Sequence, residues 1–279
     1  MTRWRELRAE AATVVGDREA RFIVEEVSGF GSAEWIDAAD TDPTWRQAAR
    51  LRAMVDRRVQ GEPLQYVLGS WSFRSLDLMV DPRVLIPRPE TEWVVEIALD
   101  ECVRLDLGRG AVADLGTGSG AIALALAAAL PAAAVWATDV SDDALAVARA
   151  NVAGCAARNV RVVAGSWFEA LPAELRGELA LIVSNPPYVA EHEVADLPAV
   201  VVDHEPRGAL VAGPTGLEAL TVVIDAAPEW LCTPGTLVCE IAPHQADAVT
   251  ELALTAGFDD AFVRLDLTGR PRVLVARRG

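Results

Sequence analysis

The sequence contains few residues of the kinds that hold metal ions. Among its 279 residues there are three histidines and four cysteines, which are Cys102, Cys155, Cys232 and Cys239. The cysteines are far apart and form no Cys-x-x-Cys pair, so their spacing does not fit a zinc site. We therefore expect no metal centre, and we expect the cysteines to be reduced thiols in the core.

Basic residues are scarce relative to acidic ones. The sequence has 25 lysine and arginine residues against 41 aspartate and glutamate residues, which gives a formal net charge of −16. Binding to nucleic acid depends mainly on basic side chains that neutralise phosphates. The balance therefore argues against DNA or RNA as the main partner, whereas an acidic surface can attract a basic protein partner.

Long apolar runs are also absent. The longest one, residues 121–137, is broken by Pro131, whereas a membrane span needs about twenty uninterrupted apolar residues. The N-terminal sequence MTRWRELRAE is charged and has no apolar region of the kind that marks a signal peptide. We therefore expect a cytoplasmic protein with no membrane segment.

The N-terminal region has the pattern of a small helical bundle. Apolar residues recur at helical spacing within Trp4–Val15, Ala20–Val27 and Ala48–Val59. Strand-like runs are few in this part of the sequence. These patterns predict a domain of packed helices over residues 1–60.

The pattern changes after Gly61. Apolar and polar residues alternate on both sides of Gly69-Ser70, which predicts a β-hairpin connector over residues 61–83. A helix is predicted to open at Pro89, because proline suits the first helical position and acidic residues suit the first turn. The remaining residues, 84–279, are predicted to form one larger domain.

The larger domain alternates strands and helices. This alternation is typical of a doubly wound α/β fold with a mostly parallel sheet. The last two strands flank residues 268–271 and predict a hairpin that adds an antiparallel edge. The predicted strands are Ala111–Asp114, Ala134–Thr138, Val160–Val163, Leu179–Val183, Gly235–Glu240, Phe262–Leu267 and Arg272–Ala276.

A glycine-rich loop, DLGTGSG, follows the first of these strands at residues 114–120. Because Gly116, Gly118 and Gly120 have no side chains, a ligand can lie against the backbone at the start of the next helix. Asp139 ends the following strand, 19 residues after Gly120. A carboxylate there can accept hydrogen bonds from both ribose hydroxyls of an adenosine-type cofactor.

The glycine loop alone leaves alternatives open. Residues 116–121 also satisfy the Gly-x-Gly-x-x-Ala form of a dinucleotide fingerprint, and a glycine-rich turn can be purely structural. The compact form with Thr117 and Ser119 between the glycines is typical of S-adenosylmethionine (AdoMet) methyltransferases. AdoMet has no pyrophosphate and needs no phosphate-binding groups beyond the loop, so AdoMet is favoured over NAD.

A second unusual segment, Asn185-Pro186-Pro187-Tyr188, follows the apolar run Leu181–Val183. Consecutive prolines can neither continue a paired strand nor wind into a helix. Ligands of doubly wound sheets bind at the crevice where strands end, and this strand should end beside the glycine loop. The four residues are therefore expected at the reactive end of the cofactor.

The residue types of this segment suit a planar nitrogen as methyl acceptor, although a simple strand-ending turn is the alternative. Such a nitrogen is a poor nucleophile because its lone pair is delocalised. The Asn185 side-chain oxygen can accept one N–H and the Pro186 carbonyl the other, which opposes the positive charge that develops on nitrogen. The prolines hold the acceptors rigid, and Tyr188 offers a flat face for stacking.

Further motifs extend over nearly the whole chain and occur in the order found in one family of enzymes. They are GEPLQYVLGSWSF (61–73), VLIPRPETEWVV (84–95), DLGTGSGAIALALA (114–127), ATDVSDDALAVARANV (137–152), SWFEAL (166–171), LIVSNPPYV (181–189), EPRGAL (205–210) and DLTGRPRVLVAR (266–277). By these motifs the chain resembles the HemK/PrmC family, protein-(glutamine-N5) methyltransferases that act on bacterial peptide-chain release factors.

The resemblance implies a role for each motif residue. Loop residues 116–120 would wrap the methionine part of AdoMet, Asp139 would bind its ribose, and Trp167 would pack on its adenine. Asn185 would border the cofactor, and residues 185–188 would hold the substrate glutamine.

The resemblance also implies a role for the rest of the chain. The N-terminal helices would recognise the release factor, whose Gly-Gly-Gln loop reaches the pocket. Residues 87–92, PRPETE, resemble the segment that helps to close the active site in the family.

Other substrates and functions remain as alternatives. Related enzymes that methylate a glutamine of a ribosomal protein tend to carry a different sequence at the position of IPRPETE. Enzymes that methylate an amino group of DNA share Asn-Pro-Pro-Tyr but need a basic recognition region. An NAD-binding oxidoreductase and an inactive AdoMet-binding module are the alternatives outside this reaction class.

Three departures from the family pattern concern loops. Ser166 stands where an acidic residue usually precedes Trp167, which puts one contact to the adenine amino group in question. Residues 212–220 differ from the usual glycine-rich stretch, and Ala242 stands where glycine is usual. The departures bear on substrate identity more than on reaction type.

Overall fold

In a computed structural model, the structure describes residues 2–31 and 33–279. Those residues fall into two compact units, one that extends to Ser70 and one that begins at Trp71. None of the helices in the described residues combines the length and apolar character that a membrane crossing requires.

The first unit consists of helices packed around their apolar faces. Its core includes Trp4, Leu7, Ile23 and Leu51, which are almost fully buried. The helical spacing of these residues is what places them on one side of each helix. The helices are α1 (Trp4–Val15), α2 (Asp17–Ser28), α3 (Trp35–Ala38), α4 (Trp45–Val59) and α5 (Leu64–Leu68).

The three predicted helices of this unit are confirmed, but α2 and α4 begin three residues earlier than predicted. The first turn of α2 is polar, and that of α4 consists of an exposed Trp45 followed by Arg46 and Gln47, so apolar spacing does not mark either start. In α4 the side chain of Thr44 accepts a hydrogen bond from the Gln47 backbone N–H, and the Gln47 side chain accepts one from the Thr44 N–H. This capping box satisfies donors that the helix itself leaves unpaired.

The predicted position of the hairpin turn is wrong. Residues 64–68 form α5, and the hairpin follows as β1 (Ser70–Phe73) and β2 (Leu76–Met79), with its turn at Arg74-Ser75. Gly69 has a φ of +81° and ends α5 as a left-handed cap. The apolar residues before Gly69 therefore belong to a short helix, and those after it belong to a strand.

The second unit contains a seven-stranded sheet with the order β10-β11-β9-β6-β3-β4-β5. Strands β3, β4, β5, β6 and β9 are parallel, and β11 joins β9 and β10 antiparallel to both. The strands are β3 (Ala111–Leu115), β4 (Ala134–Asp139), β5 (Val160–Ala164), β6 (Leu179–Ser184), β7 (Val189–Ala190), β8 (Val211–Gly213), β9 (Leu231–Glu240), β10 (Asp260–Leu265) and β11 (Pro271–Arg278), of which β7 and β8 pair separately.

Helices cover both faces of the sheet. Side chains alternate along each strand, so Val112 packs with α6 and α7, whereas Ala113 and Leu115 pack with α11 and α12. The mostly parallel, doubly wound fold with an antiparallel C-terminal edge is therefore confirmed. The helices of this unit are α6 (Pro89–Arg104), α7 (Ala121–Ala129), α8 (Asp142–Gly154), α9 (Ala199–His204), α10 (Arg207–Leu210), α11 (Glu218–Trp230) and α12 (Ala246–Thr255).

The strand order brings the two unusual segments of the sequence together. The chain adds β4 and β5 on one side of β3 and then returns to add β6 on the other side. The carboxyl ends of β3 and β6 therefore border the crevice at the point where the order reverses. The glycine loop leaves the end of β3, and Asn185 follows directly on β6.

A buried side chain on α8 connects β2 with the glycine loop. Asn151 is 5% exposed, and its Oδ1 accepts from the Met79 N–H at 2.7 Å. Its Nδ2 donates to the carbonyl oxygens of Met79 at 3.0 Å and Ser119 at 2.8 Å. Two of these bonds hold the Met79 backbone and the third holds the glycine loop at Ser119.

We expect Asn151→Ala to destabilise the protein by about 2–4 kcal/mol, because it leaves buried backbone groups without partners. Urea unfolding checks this value, with Arg149→Ala at an exposed position of α8 as the matched control. Equal unfolding midpoints for the two variants would contradict the structural role given to Asn151.

Candidate active site

A cavity of about 390 Å³ lies at the carboxyl edge of the sheet in the second unit. Its volume is within the range of small-molecule sites, roughly 300–1,000 Å³. The cavity wall combines the glycine loop, the end of β4, the segment after β6 and three further segments, which lie within residues 83–91, 165–167 and 206–209. Of the residues predicted for the site, those that line it are Gly116, Thr117, Gly118, Ser119, Asp139, Trp167, Asn185 and Pro187.

Three glycines give the loop its shape. Gly116, Gly118 and Gly120 have φ values of +73°, +55° and +86°, a region that glycine adopts without strain. A side chain at Gly118 would project into open space, whereas one at Gly120 would meet Ala148 at 3.6 Å. Gly118 therefore keeps the backbone open to the cavity, whereas Gly120 faces α8 at ordinary packing distance.

Trp167 lies against the glycine loop. A Cβ atom at Gly116 would be 3.4 Å from Cζ3 of the Trp167 ring. The ring and the Gly116 backbone thus form adjacent parts of the cavity wall, with Ser166 beside them. A flat aromatic face at this position can stack on a planar group of a ligand.

The Asp139 carboxylate is fixed at the cavity wall by two backbone donors. Its Oδ2 accepts from the Gly118 N–H and its Oδ1 from the Ser141 N–H, both at 2.9 Å. An ionised carboxylate can accept about four hydrogen bonds. Each oxygen of Asp139 therefore retains a lone pair for a hydroxyl group in the cavity.

Asp114 is buried beneath the glycine loop. Its Oδ2 accepts from the Thr117 hydroxyl at 2.6 Å and from the Ala123 N–H at 3.0 Å, while its Oδ1 has no hydrogen-bond partner among the described residues. Burial is the main cause that raises the pKa of Asp114 to about 7. The residue holds the loop and titrates near neutral pH.

The Asn-Pro-Pro-Tyr segment is held at both ends. The Ser184 hydroxyl donates to the Leu115 carbonyl at 2.7 Å, which ties the end of β6 to β3. The Tyr188 hydroxyl donates to Oε1 of Glu240 at 3.2 Å, and the Tyr188 carbonyl accepts from the Gln245 amide at 3.0 Å. The backbone between these ends is therefore rigid.

Three predicted site residues do not line the cavity. Gly120 is packed on α8, Pro186 is buried, and the hydroxyl of Tyr188 points to Glu240. Burial, followed by the negative charge of Glu240, raises the pKa of Tyr188. Its hydroxyl therefore stays protonated and acts as a donor.

Two segments of the wall are joined by a buried ion pair that the sequence did not predict. Arg88 pairs with the carboxylate of Glu205, whose other oxygen accepts from the Ile86 N–H at 3.2 Å. Pro87 and Pro206, next to these residues, line the cavity. Both segments carry family motifs, IPRPETE and EPRGAL. The opposite charges of Arg88 and Glu205 are the one feature of the sequence that agrees with their contact.

Within residues 2–31 and 33–279, no three His, Cys, Asp or Glu side chains are grouped so that they could hold a metal ion. The site is thus built from backbone groups, carboxylates, an amide and an aromatic ring. These groups can bind a nucleoside, accept hydrogen bonds from an amide and exclude water.

The fold and the site define the class of the protein. The family model "Methyltransferase small domain" matches residues 98–204. Among solved structures, the fold is similar to the hMettl16 catalytic domain in complex with MAT2A 3′UTR hairpin 6, with a TM-score of 0.58 and 18% identity over 83% of this chain and 81% of that one. A methyltransferase from Pyrococcus furiosus has a TM-score of 0.53 and 17% identity over 84% and 98% of the two chains. The chain therefore has the fold of a methyltransferase.

Sequence relatives identify the family. The model "PrmC N-terminal domain" matches residues 4–69. A release factor glutamine methyltransferase from Bordetella pertussis is 45% identical over 91% of this chain and 92% of its own length. Those from Salmonella typhimurium and Escherichia coli are 40% and 36% identical, each over 93% of this chain and 91% of their own length. The chain belongs to the release factor glutamine methyltransferase family, as its motifs predicted.

The raised pKa of Asp114 predicts a pH-dependent stability. An exposed aspartate has a pKa of about 3.9, so between pH ~4 and ~7 the unfolded chain releases a proton that the folded protein keeps. The contribution of Asp114 to the free energy of unfolding therefore falls as pH rises through this window and is constant above it.

Asp114→Asn removes this dependence. The free energy of unfolding of the variant, measured relative to the wild type, should be roughly 2 kcal/mol higher at pH 8 than at pH 5. Urea unfolding at both pH values checks the gain, and Asp77→Asn at an exposed position controls for the lost charge. A stability difference that does not change with pH would rule out this titration.

Proposed function

We propose that the protein transfers a methyl group from AdoMet to the side-chain amide nitrogen of the glutamine in the Gly-Gly-Gln motif of peptide-chain release factors. The observation that carries the proposal is the placement of Asn185 and the glycine loop on one cavity. The relatives described above are release factor glutamine methyltransferases, which supports a release-factor substrate.

Three features of the cavity wall support AdoMet as the ligand. Gly118 leaves open space where a side chain would project, Asp139 has lone pairs for hydroxyl groups, and the Trp167 ring lies beside Gly116. Loop residues 116–120 would hold the methionine part, Asp139 the ribose and Trp167 the adenine. When bound, AdoMet supplies a methyl group on a positively charged sulfur.

Asn185 and Pro186 would prepare the substrate nitrogen. The Asn185 Oδ1 would accept one N–H of the glutamine amide. That the Pro186 carbonyl accepts the other stays a prediction, because Pro186 is buried and does not line the cavity. These fixed dipoles stabilise the positive charge that grows on nitrogen without having to reorganise. Stacking of Tyr188 on the amide stays a prediction, since its hydroxyl is engaged by Glu240.

We assign recognition of the release factor to the N-terminal region. The proposed division is an N-terminal recognition domain over residues 1–60, a connector over residues 61–83 and a catalytic domain over residues 84–279. The match of residues 4–69 to the PrmC N-terminal model supports this assignment. Because release factors act at ribosomes, we infer that the protein works in the cytoplasm.

The substrate assay incubates the protein with labelled AdoMet and, separately, a release factor, ribosomal proteins or DNA. We expect label on the release-factor glutamine and none on a release factor whose Gly-Gly-Gln glutamine is replaced by alanine. Label found only on a ribosomal protein or on DNA would refute the proposed substrate. Saturable binding of NAD together with no binding of AdoMet would refute the proposed cofactor.

We expect Asn185→Ala to reduce the rate of transfer at least about a hundredfold, as loss of a transition-state hydrogen bond does in other enzymes. Affinity for AdoMet should stay within about tenfold, because one hydrogen bond contributes roughly 1 kcal/mol. Steady-state kinetics and calorimetric titration measure the two effects. His192→Ala, at an exposed position, serves as control, and undiminished transfer by Asn185→Ala would remove this residue from the mechanism.

A further inference from the structure

A chain of hydrogen bonds lies behind the Asn185 amide. Asn185 Nδ2 donates to Thr91 Oγ1 at 3.2 Å, and Thr91 Oγ1 donates to Oε2 of Glu240 at 2.7 Å. Thr91 is 4% exposed and Glu240 is 1% exposed. The three residues come from the segment after β6, the start of α6 and the end of β9.

We propose that Thr91 and Glu240 are positioning residues that orient the Asn185 amide so that its oxygen faces the substrate nitrogen. The catalytic consequence rests on the proposed function. The hydrogen-bond chain itself is a property of the protein without substrate.

The direction of the chain follows from a count of protons. A carboxylate oxygen that carries no proton only accepts hydrogen bonds, as Oε2 of Glu240 does here, and a threonine hydroxyl has a single proton to donate. At 2.7 Å, Thr91 gives that proton to Glu240. The Thr91 oxygen can then only accept, so it binds the NH₂ group of Asn185 and leaves the amide oxygen for the cavity.

Burial is the main cause that raises the pKa of Glu240 above its ordinary value. The Thr91 hydroxyl, the positive charge of Arg272 and the Tyr188 hydroxyl oppose this shift, and the negative charge of Glu90 adds to it. Arg272 is itself buried and donates to the carbonyl of Ile241, next to Glu240. The carboxylate thus has a hydroxyl donor on each oxygen and a guanidinium nearby.

The orientation matters because the two ends of an asparagine amide have nearly the same shape. With the oxygen toward the cavity, Asn185 accepts a substrate N–H. Rotated by half a turn, it would present its NH₂ group to that N–H, and two donors would face each other. Fixing the amide therefore removes a conformer that cannot stabilise the developing charge.

The Glu240 carboxylate also holds both ends of the Asn-Pro-Pro-Tyr segment. Glu240 Oε2 holds Asn185 through Thr91, and Oε1 accepts from the Tyr188 hydroxyl at 3.2 Å. The spacing of Asn185 and Tyr188 is thereby set by a single buried group at the end of β9.

The kinetic test compares Thr91→Val with Thr91→Ser. Valine keeps the shape of threonine but cannot accept from Asn185, whereas serine keeps the hydroxyl. We expect Thr91→Val to lower kcat by about 10- to 100-fold, the range for loss of a buried hydrogen bond. The KM for release factor and the Kd for AdoMet should change less than about threefold, and Thr91→Ser should restore kcat to within about threefold of the wild type.

Two kinetic results would overturn the proposal. One is a kcat of Thr91→Val within about twofold of the wild type, and the other is a loss in Thr91→Ser as large as that in Thr91→Val. Glu240→Gln provides a second variant, because glutamine can also donate to Thr91 and so removes the fixed direction. It should lower kcat in the same way while AdoMet binding is retained.

A stability test needs no substrate. Asn185→Asp places two carboxylates around the one proton of Thr91 and should lower the Tm. Adding Glu240→Gln reverses the chain, since the new amide at position 240 can donate to Thr91 while Thr91 donates to the new carboxylate at position 185. The double variant should therefore have a higher Tm than the two single changes predict together.

The Asn185→Asp and Glu240→Gln variants form a double-mutant cycle, and the coupling is the Tm of the double variant beyond that expected from the two single changes. Part of this coupling is repulsion between the two carboxylates, so the cycle is repeated in the Thr91→Val background. We expect the coupling to shrink when the hydroxyl is absent, and equal coupling in both backgrounds would disprove the chain. If the wild type methylates no release factor, the proposed function fails, and this cycle still decides whether Thr91 and Glu240 orient Asn185.

Discussion

The active-site crevice exists because the chain reverses the direction in which it adds strands to the sheet. Strands β4 and β5 lie on one side of β3, and β6 and β9 lie on the other. The connections that leave β3 and β6 therefore diverge, and the carboxyl ends of these strands border an opening that neither connection covers. The glycine loop begins at one border and Asn-Pro-Pro-Tyr at the other. Leu115 and Ser184 are paired at the ends of these neighbouring strands, and the Ser184 hydroxyl donates to the Leu115 carbonyl although 69 residues separate them. Strand order is therefore what brings the glycine loop and Asn-Pro-Pro-Tyr together.

Three buried acids surround this crevice. Asp114, Glu205 and Glu240 are at most 6% exposed, and a buried carboxylate is costly unless charged or polar neighbours compensate it. Each of the three forms hydrogen bonds with a segment that lines the site: Asp114 with the glycine loop, Glu205 with Arg88, and Glu240 with Thr91. The protein thus accepts unfavourable burial at this edge of the sheet, and the compensating bonds hold loops that would otherwise be mobile in fixed positions.

Much of the fold could be predicted because a fully buried parallel strand appears in the sequence as a short apolar run between loops. The order of the strands could not, since such a run carries no mark of its neighbours. Glu240 was therefore predicted to end a strand but not to lie beside Asn-Pro-Pro-Tyr, which follows from the pairing of β6 with β9. Thr91 lies 94 residues from Asn185, and only the folded chain shows their contact. Around Gly69 the local signal suited a hairpin turn and a helix end equally, and burial of the preceding apolar residues favoured the helix.

The hydrogen-bond chain behind Asn185 also has an order in time, because a protein is made from its N-terminus. Thr91, the glycine loop and Asn185 are synthesised before Glu240, which is 149 residues after Thr91. Arg272, which favours the ionised form of Glu240, comes later still. A nascent chain that ends before β9 therefore contains every residue assigned to the cofactor but lacks the carboxylate that orients the acceptor amide. Under the proposed mechanism, the residues that hold the methyl donor are therefore complete before the carboxylate that orients Asn185, which is present only when the strands on the far side of β6 have been translated.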